Sequence, residues 1–328
     1  MNLVFSKDIL VIKDIQNLTK LLENFIRKQT FEDYRKRGII IGISGGIDSA
    51  VAAALACNAV GNENVLGIIL PEKESNRESQ ELAKTLCNKL KIKYVVEDIT
   101  QILESGSVYQ IREKIVQKLF PEYNNSCKYR LIFRENFDND GLSIPYLEIQ
   151  DARNQIHKIK VSLDDYLTMT AATNIKHRTR MSRLYYHAEK NNFLVCGTTN
   201  KAEFQQGYFV KYGDGGVDIE PLVNLFKTQV YQLAEYLNVP SEIIQREASP
   251  DTWSFDISDE EVFFSLTYDI KDLMLYPREK SIPLNEVCSI LELDEDKVKR
   301  ILKSQERKWN SSKTSRIFPP SFDIKDIS

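Results

Sequence analysis

The sequence predicts an α/β protein built on a doubly wound parallel sheet, with a β-hairpin insertion and a helical C-terminal part. Three short runs, Gly38–Ile43, Val65–Leu70 and Lys93–Val96, read as strands, and helical patterns at Ala50–Ala56 and Ser79–Leu90 separate them. Strand, helix, strand, helix, strand in this rhythm gives parallel neighbours joined by right-handed crossovers. The rhythm resumes with a helix near Asn174–Glu189 and a strand at Phe193–Gly197.

The elements follow in order. Ile15, Leu18, Leu21, Leu22 and Phe25 recur at helical spacing between polar residues and predict an amphipathic first helix. Strand one is followed by the alanine-rich helix, a turn over Asn58–Asn64, and strand two, which Pro71 ends. Leu82, Ala83, Leu86 and Leu90 mark one face of the next helix. From about 102 to 163 the alternation breaks. Tyr129–Arg134, the turn-former Asn139-Asp140-Gly141, Ser143–Ile149 and His157–Leu163 predict a β-hairpin with a further strand, outside the main sheet. Lys227–Leu237 is a helix with Val230, Leu233, Ala234 and Leu237 on one face and a stop at Pro240. The last third is mostly helical: Leu284–Leu291, then Glu295–Lys308 with Asp294 as its N-cap. That pair has the outline of a helix-turn-helix, but two amphipathic helices in succession more often simply pack.

A length of 328 residues suits one large domain or two modest ones. The expected division is an α/β domain over 1–275, interrupted by the insert at about 102–163, and a helical extension over 276–328 packed on it. The apolar runs fall far short of spanning length, and Lys7, Asp8, Lys13 and Asp14 interrupt the N-terminus, so no membrane contact and a cytoplasmic location are expected. The five cysteines are scattered without a C-x-x-C pair, which argues against a zinc site and a disulfide framework. A net charge of −3 gives no indication of a nucleic-acid partner.

The sharpest chemistry is Ser44-Gly45-Gly46-Ile47-Asp48-Ser49, between the first strand and its helix. The two glycines let backbone N–H groups close on an anion, the serines add hydroxyls, and the helix dipole points its positive end there. No Gly-Lys-Ser/Thr ends the loop, so it is not a Walker A motif, and Gly42, Gly45 and Gly46 do not fit G-x-G-x-x-G. The hexapeptide resembles the SGGxDS pyrophosphate loop of the N-type ATP pyrophosphatases. Asp48 beside a phosphate tail needs a divalent cation between the charges.

A second block, Thr198-Thr199-Asn200-Lys201-Ala202-Glu203, places Glu203 one helical turn past a strand tip, on the same edge as Asp48. Two carboxylates from separate strand ends suit Mg²⁺, although a lone glutamate is more often just exposed. Lys211-Tyr212-Gly213-Asp214-Gly215-Gly216-Val217-Asp218 suits close approach to a polar ligand and equally a hairpin turn. Lys227 opens a helix, where a cation opposes the dipole; a bound phosphate supplies a reason. The basic run 176–183 reads either as a ligand face or as a solvated helix face.

In this order and spacing, SGGIDS, NIKHRTRM, GTTNKAE, GYFVKYGDGGVDIEPL, FKTQVYQLAEYLNVP and SPDTW resemble the NAD synthetase family, over most of residues 10 to 275. The resemblance implies an adenine nucleotide alpha hydrolase-like, three-layer fold and a two-step amide ligase. A carboxylate attacks the α-phosphate of ATP, giving an acyl adenylate and pyrophosphate; ammonia then displaces AMP. It implies that Ser44, Gly45, Gly46, Ile47, Asp48, Ser49, Thr198, Lys227 and Ser249 contact ATP, and that Asp48 and Glu203 hold Mg²⁺. Arg178, Lys211, Asp214 and Asp218 match positions that hold nicotinic acid adenine dinucleotide, and Asp48, Lys227 and Asp214 are the candidate catalytic groups, Asp214 as the base toward ammonium. A homodimer is implied as well. The sheet begins too early to leave room for a glutaminase domain, so ammonia is expected free or from a separate glutaminase.

Three features depart from the family pattern: the long insert, Lys313-Thr314-Ser315-Arg316 where His-Lys-Arg is common, and no Leu-Gly before Tyr268. They keep open a paralogous ligase that adenylates another acid. An adenine-nucleotide binder of the stress-protein kind has no use for both Glu203 and Lys227. A tRNA-modifying pyrophosphatase wants a reactive cysteine and a basic face, neither of which is evident.

Overall fold

The computed structural model describes residues 5–132, 145–247, 253–255 and 266–320. The expected turn at Asn139-Asp140-Gly141, most of SPDTW with Ser249, and the stretch 256–265 lie outside the described residues. Strands β1 (Ile39–Gly42), β2 (Val65–Ile69), β3 (Lys93–Val96) and β7 (Leu194–Cys196) form one parallel sheet in the order β3-β2-β1-β7. Ile39 is paired with Val65 on one side and Leu194 on the other.

β1, β2 and β7 are mostly buried on both faces, which is why they appear in the sequence as unbroken apolar runs, whereas β3 at the sheet edge is largely exposed. Alternation of side chains sorts them into two cores. Ile39, Ile41, Val65, Ile69, Leu194 and Cys196 face α1 (Ile15–Lys28), α2 (Ile47–Val60), α3 (Arg77–Leu90) and α8 (Lys227–Tyr236). Ile40, Ile68 and Val195 face the opposite layer, built from α4 (Thr100–Ser105), α5 (Val108–Leu119) and α6 (Leu163–Asn191). The sheet is therefore doubly wound, as expected. The chain leaves β1 toward β2 and β3 but returns on its other side as β7. This places the topological switch point, where open α/β sheets bind ligands, between β1 and β7.

The insert forms its own antiparallel sheet, β4 (Lys128–Ile132), β5 (Tyr146–Gln150) and β6 (Ile156–Lys160), over a core that includes Tyr129, Leu147, Ile149 and Trp253. Two features go beyond expectation. The stretch 100–119, for which the sequence predicts no element, forms α4 and α5, and α6 begins at Leu163, well before Asn174, because Ser162 caps it by accepting from Asp165 N at 3.2 Å. A last core joins α10 (Tyr268–Lys280), α11 (Leu284–Leu291) and α12 (Glu295–Ser311) to Phe5, Leu10, Ala202 and Phe226. Asp294 caps α12 as expected, accepting from Lys297 N at 2.7 Å. Residue 275, the expected domain boundary, falls inside α10. Among the described residues, no helix is long and apolar enough to cross a membrane.

Candidate active site

The Ser44–Ser49 loop leaves the carboxyl end of β1 and runs into α2. Gly45 has φ +81°, and a Cβ there would lie 2.3 Å from the carbonyl oxygen of Ser79, so both dihedral and space demand glycine. Gly46 is the N-cap of α2, and its N–H donates to Ser44 Oγ at 3.2 Å. Ser49 Oγ donates to the Gly46 carbonyl at 2.9 Å and lies 3.1 Å from Ser44 Oγ. The serines thus shape the turn, and Ile47 and Asp48 form the first turn of the helix, whose free N–H groups make an anion site.

Asp48 and Glu203 meet at the ammonium of Lys227. Lys227 Nζ pairs with Asp48 Oδ2 and lies 3.9 Å from Glu203 Oε1. The lysine is only 1 % exposed although it is the first residue of α8, where the dipole disfavours it. Two carboxylates in front of it supply the compensation. Asn200 adds precision: its Nδ2 donates to Asp48 Oδ1 at 3.1 Å, while Asn200 and Glu203 form a reciprocal capping box on α7 (Lys201–Gln206). Among the described residues, no group of three or more His, Cys, Asp or Glu side chains converges as a ready-made metal centre. Asp48 and Glu203 nevertheless offer hard oxygen donors around a position that already tolerates positive charge, which fits Mg²⁺ shared with a phosphate.

Beside the loop, a cavity of about 230 Å³ opens between β1, β2 and β7. Ser44, Thr198 and Asp214 line it, together with His177 and Arg180 of α6 and with Ser79 of α3. Asp214 Oδ1 accepts from Val210 N at 3.0 Å and lies 3.3 Å from His177 Nδ1. Arg178 and Lys211 sit elsewhere, on the exposed rim. Arg178 Nε donates to the Lys211 carbonyl at 3.2 Å, and Lys211 Nζ donates to the Thr314 carbonyl at 2.9 Å, so the C-terminal tail closes this edge. Asp218 points inward: its oxygens accept from Tyr185 OH at 3.0 Å and Val195 N at 2.7 Å, bracing β7.

The sequence did not single out His177, Arg180, Asn200, Glu220 or Asp272 as site residues. Asn200 and Glu203 carried a legible signal, the N-x-x-E spacing of a capping box. Glu220 packs behind Gly197 and accepts from Thr199 N at 3.2 Å; burial, with the negative charge of Asp214 adding, pushes its carboxyl up to about 8. Asp272 accepts from Thr228 N at 2.9 Å and so fixes the backbone beside Lys227; burial pushes it up to about 6 against the pull of Lys271.

A serine-glycine loop, a buried lysine and paired carboxylates at the switch point of a parallel sheet define an α/β protein of the kind that binds ligands at the carboxyl ends of its strands. The comparisons narrow that class. The sequence matches the family described as NAD synthase over residues 15–140 and 122–313. It is 39% identical over 283 residues to an NH(3)-dependent NAD(+) synthetase from Mesorhizobium japonicum, covering 86% of this chain and 89% of the relative. The chain belongs to the NAD synthase family. Its fold is similar to that of NMN synthetase from Francisella tularensis, with a TM-score of 0.66, 24% identity and coverage of 94% of this chain and 99% of the other. The NH3-dependent NAD synthetase from Campylobacter jejuni has a TM-score of 0.63 at 23% identity, covering 95% of this chain and 100% of that one.

Proposed function

We propose that this chain is an ammonia-dependent NAD synthetase: it adenylates the carboxylate of nicotinic acid adenine dinucleotide and transfers ammonia to it. The observation that carries the reading is Lys227, buried at a helix N-terminus and faced by Asp48 of the loop and Glu203. A cation in that position is stable only where negative charge gathers.

ATP lies with its phosphates against residues 44–49 and its nucleoside in the cavity that Thr198 lines. The N–H groups of the loop and the ammonium of Lys227 hold the β- and γ-phosphates, and Ser249, outside the described residues, contributes a hydroxyl. Asp48 and Glu203 would hold Mg²⁺, which would supply charge neutralisation on the phosphates. The acid substrate reaches the α-phosphate from the rim formed by Arg178 and Lys211, with Asp214 at the inner end and Asp218 keeping the β7 edge in place. Its carboxylate oxygen bonds to the α-phosphorus as the bond to the bridging oxygen breaks, and Lys227 stabilises the charge that appears on pyrophosphate. Ammonia then attacks the acyl carbon, AMP leaves with the bonding electron pair, and Asp214 accepts the proton lost by nitrogen. No side-chain nucleophile takes part.

The same reading includes a homodimer in the cytoplasm and ammonia taken free or from a separate glutaminase. It also treats 1–275 as the catalytic α/β domain and 276–328 as its extension. The test is incubation with ATP, Mg²⁺, ammonium and nicotinic acid adenine dinucleotide: AMP, pyrophosphate and NAD are expected in equal amounts. Asp48→Asn and Glu203→Gln should each abolish turnover. Pyrophosphate release only with a different acid would transfer the chain to a paralogous ligase, and full activity in either variant would remove the metal site.

A further inference from the structure

A dense group of buried charges lies beside the site, not in it. Residues 70–76 join β2 to α3 without helix or strand, yet Leu70, Pro71, Ser75 and Asn76 form one wall of the cavity. An irregular segment of this length loses about 1–2 kcal/mol of backbone entropy per residue when it is fixed. Something must fix it, either before the nucleotide arrives or at the moment it binds.

Three side chains do so by holding Glu72 and Glu74. Lys176 of α6 is fully buried and donates to Glu72 Oε1 at 2.8 Å and Glu74 Oε2 at 2.5 Å. Arg112 of α5, also fully buried, donates to Glu74 Oε2 at 2.8 Å, and Tyr109 OH donates to Glu72 Oε2 at 2.6 Å. Burial works to raise the carboxyl of Glu72, but the Lys176 ammonium and the Tyr109 hydroxyl overrule it and hold it below the usual range. Two acids and two bases balance. Buried ion pairs of this kind add little net stability over apolar packing, so the conformation they impose is the better reason for them.

That conformation joins two walls. Lys176 immediately precedes His177, which lines the cavity, and Arg180 one turn later donates from Nε to the Leu70 carbonyl at 3.3 Å. Arg112 belongs to the insert, and its guanidinium lies 4.3 Å over the Trp253 ring and 5.1 Å over the Tyr129 ring in the insert's own core. The insert therefore reaches the nucleotide cavity through this arginine.

We propose that Glu72, Glu74, Lys176 and Arg112 are positioning residues that preorganise the 70–76 wall for the adenine nucleotide, and that the insert exists to anchor them. The proposal rests on ATP occupying this cavity. With the wall already ordered, binding energy is not spent on ordering it.

The experiment measures the Kd of a non-hydrolysable ATP analogue by calorimetry, the KM values for ATP and for the acid substrate, and the melting temperature. Arg112→Met is expected to raise the analogue's Kd at least tenfold, ~1.4 kcal/mol. KM for ATP should rise with it, out of proportion to any fall in kcat, while KM for the acid substrate stays put. Arg112→Lys, which keeps a charge on Glu74, should recover most of the loss. Tyr109→Phe removes one hydroxyl and leaves the packing, so it reads the same effect, expected at about threefold, if Arg112→Met does not fold. Folded variants that bind the analogue as the wild type does would overturn the proposal, as would a loss spread evenly over both substrates. Failure of the wild type itself to bind the analogue removes the ATP reading beneath it, and is told apart by that control.

Discussion

At the scale of single residues, the site is a set of positions where one atom decides the outcome. Gly45 combines φ +81° with a carbonyl 2.3 Å from where a Cβ would stand. Gly45→Ala is expected to cost about 1–3 kcal/mol in urea denaturation and to weaken nucleotide binding, because the loop must open to relieve the contact. Lys227→Met deletes the cation proposed to meet the departing pyrophosphate, and kcat should fall about 100- to 1000-fold, as when one preorganised donor is lost. Near-normal turnover would show that Lys227 only balances Asp48 and Glu203. Glu220 carries a different prediction. Burial pushes its carboxyl from 4.5 up to about 8, so between those pH values the folded chain keeps a proton that the unfolded chain has released. Stability then falls as pH rises through that window, by up to ~1.4 kcal/mol per pH unit, and the effect ends above the folded value. In Glu220→Gln, the urea midpoint should fall less than in the wild type from pH 5 to 8. Parallel curves for the two proteins would exclude this role.

At the scale of elements, local signals were legible and distant ones were not. β1 and β2 are legible within a residue or so because strands buried on both faces leave an unbroken apolar run, and the exposed edge strand β3 is legible from its aromatic and β-branched residues Tyr94, Val95 and Val96. Ser44–Ser49 was legible because all its chemistry is contiguous. The Glu72 and Glu74 partners of Lys176 lie 104 and 102 positions away, and no periodicity announces such a pairing. The helices at 100–119 escaped because they start without a side-chain cap: Ile99 precedes α4, and Ser107 enters α5 in the left-handed region. The first turns of α6 hold Thr168, Thr170 and Thr173, whose β-branching weakens the helical signal. α7 shows how a local device serves the site. Asn200→Ala removes its cap, at about 1 kcal/mol, and also the bond to Asp48. Asn200→Ser keeps a cap but lacks the reach to Asp48. Stability is expected to return in the serine variant while turnover stays low. Recovery of both in step would mean that the cap alone matters.

For the whole molecule, the question is whether the C-terminal helices form a unit of their own. The core argues that they do not. Val298 and Ile301 of α12 and Val287 of α11 share one cluster with Phe5 and Leu10 from the other end of the chain, and with Ala202 and Phe226, the neighbours of Glu203 and Lys227. Unfolding α12 therefore uncovers the supports of α7 and α8, which carry Glu203 and Lys227, the charges proposed for catalysis. The two tryptophans report on opposite regions: Trp253 packs in the core of the insert, and Trp309 lies on α12 under the guanidinium of Arg316 at 3.8 Å. Trp253→Phe and Trp309→Phe leave one reporter each, and both should show the same urea midpoint as the circular dichroism of the whole chain. Ile301→Ala, at a side chain 1 % exposed, is expected to cost about 2–5 kcal/mol and to move both midpoints together. An earlier transition at Trp309, with Trp253 and nucleotide binding unaffected, would instead make the last helices an independent appendage, and the cluster around Phe226 would then not be what holds Lys227 in place.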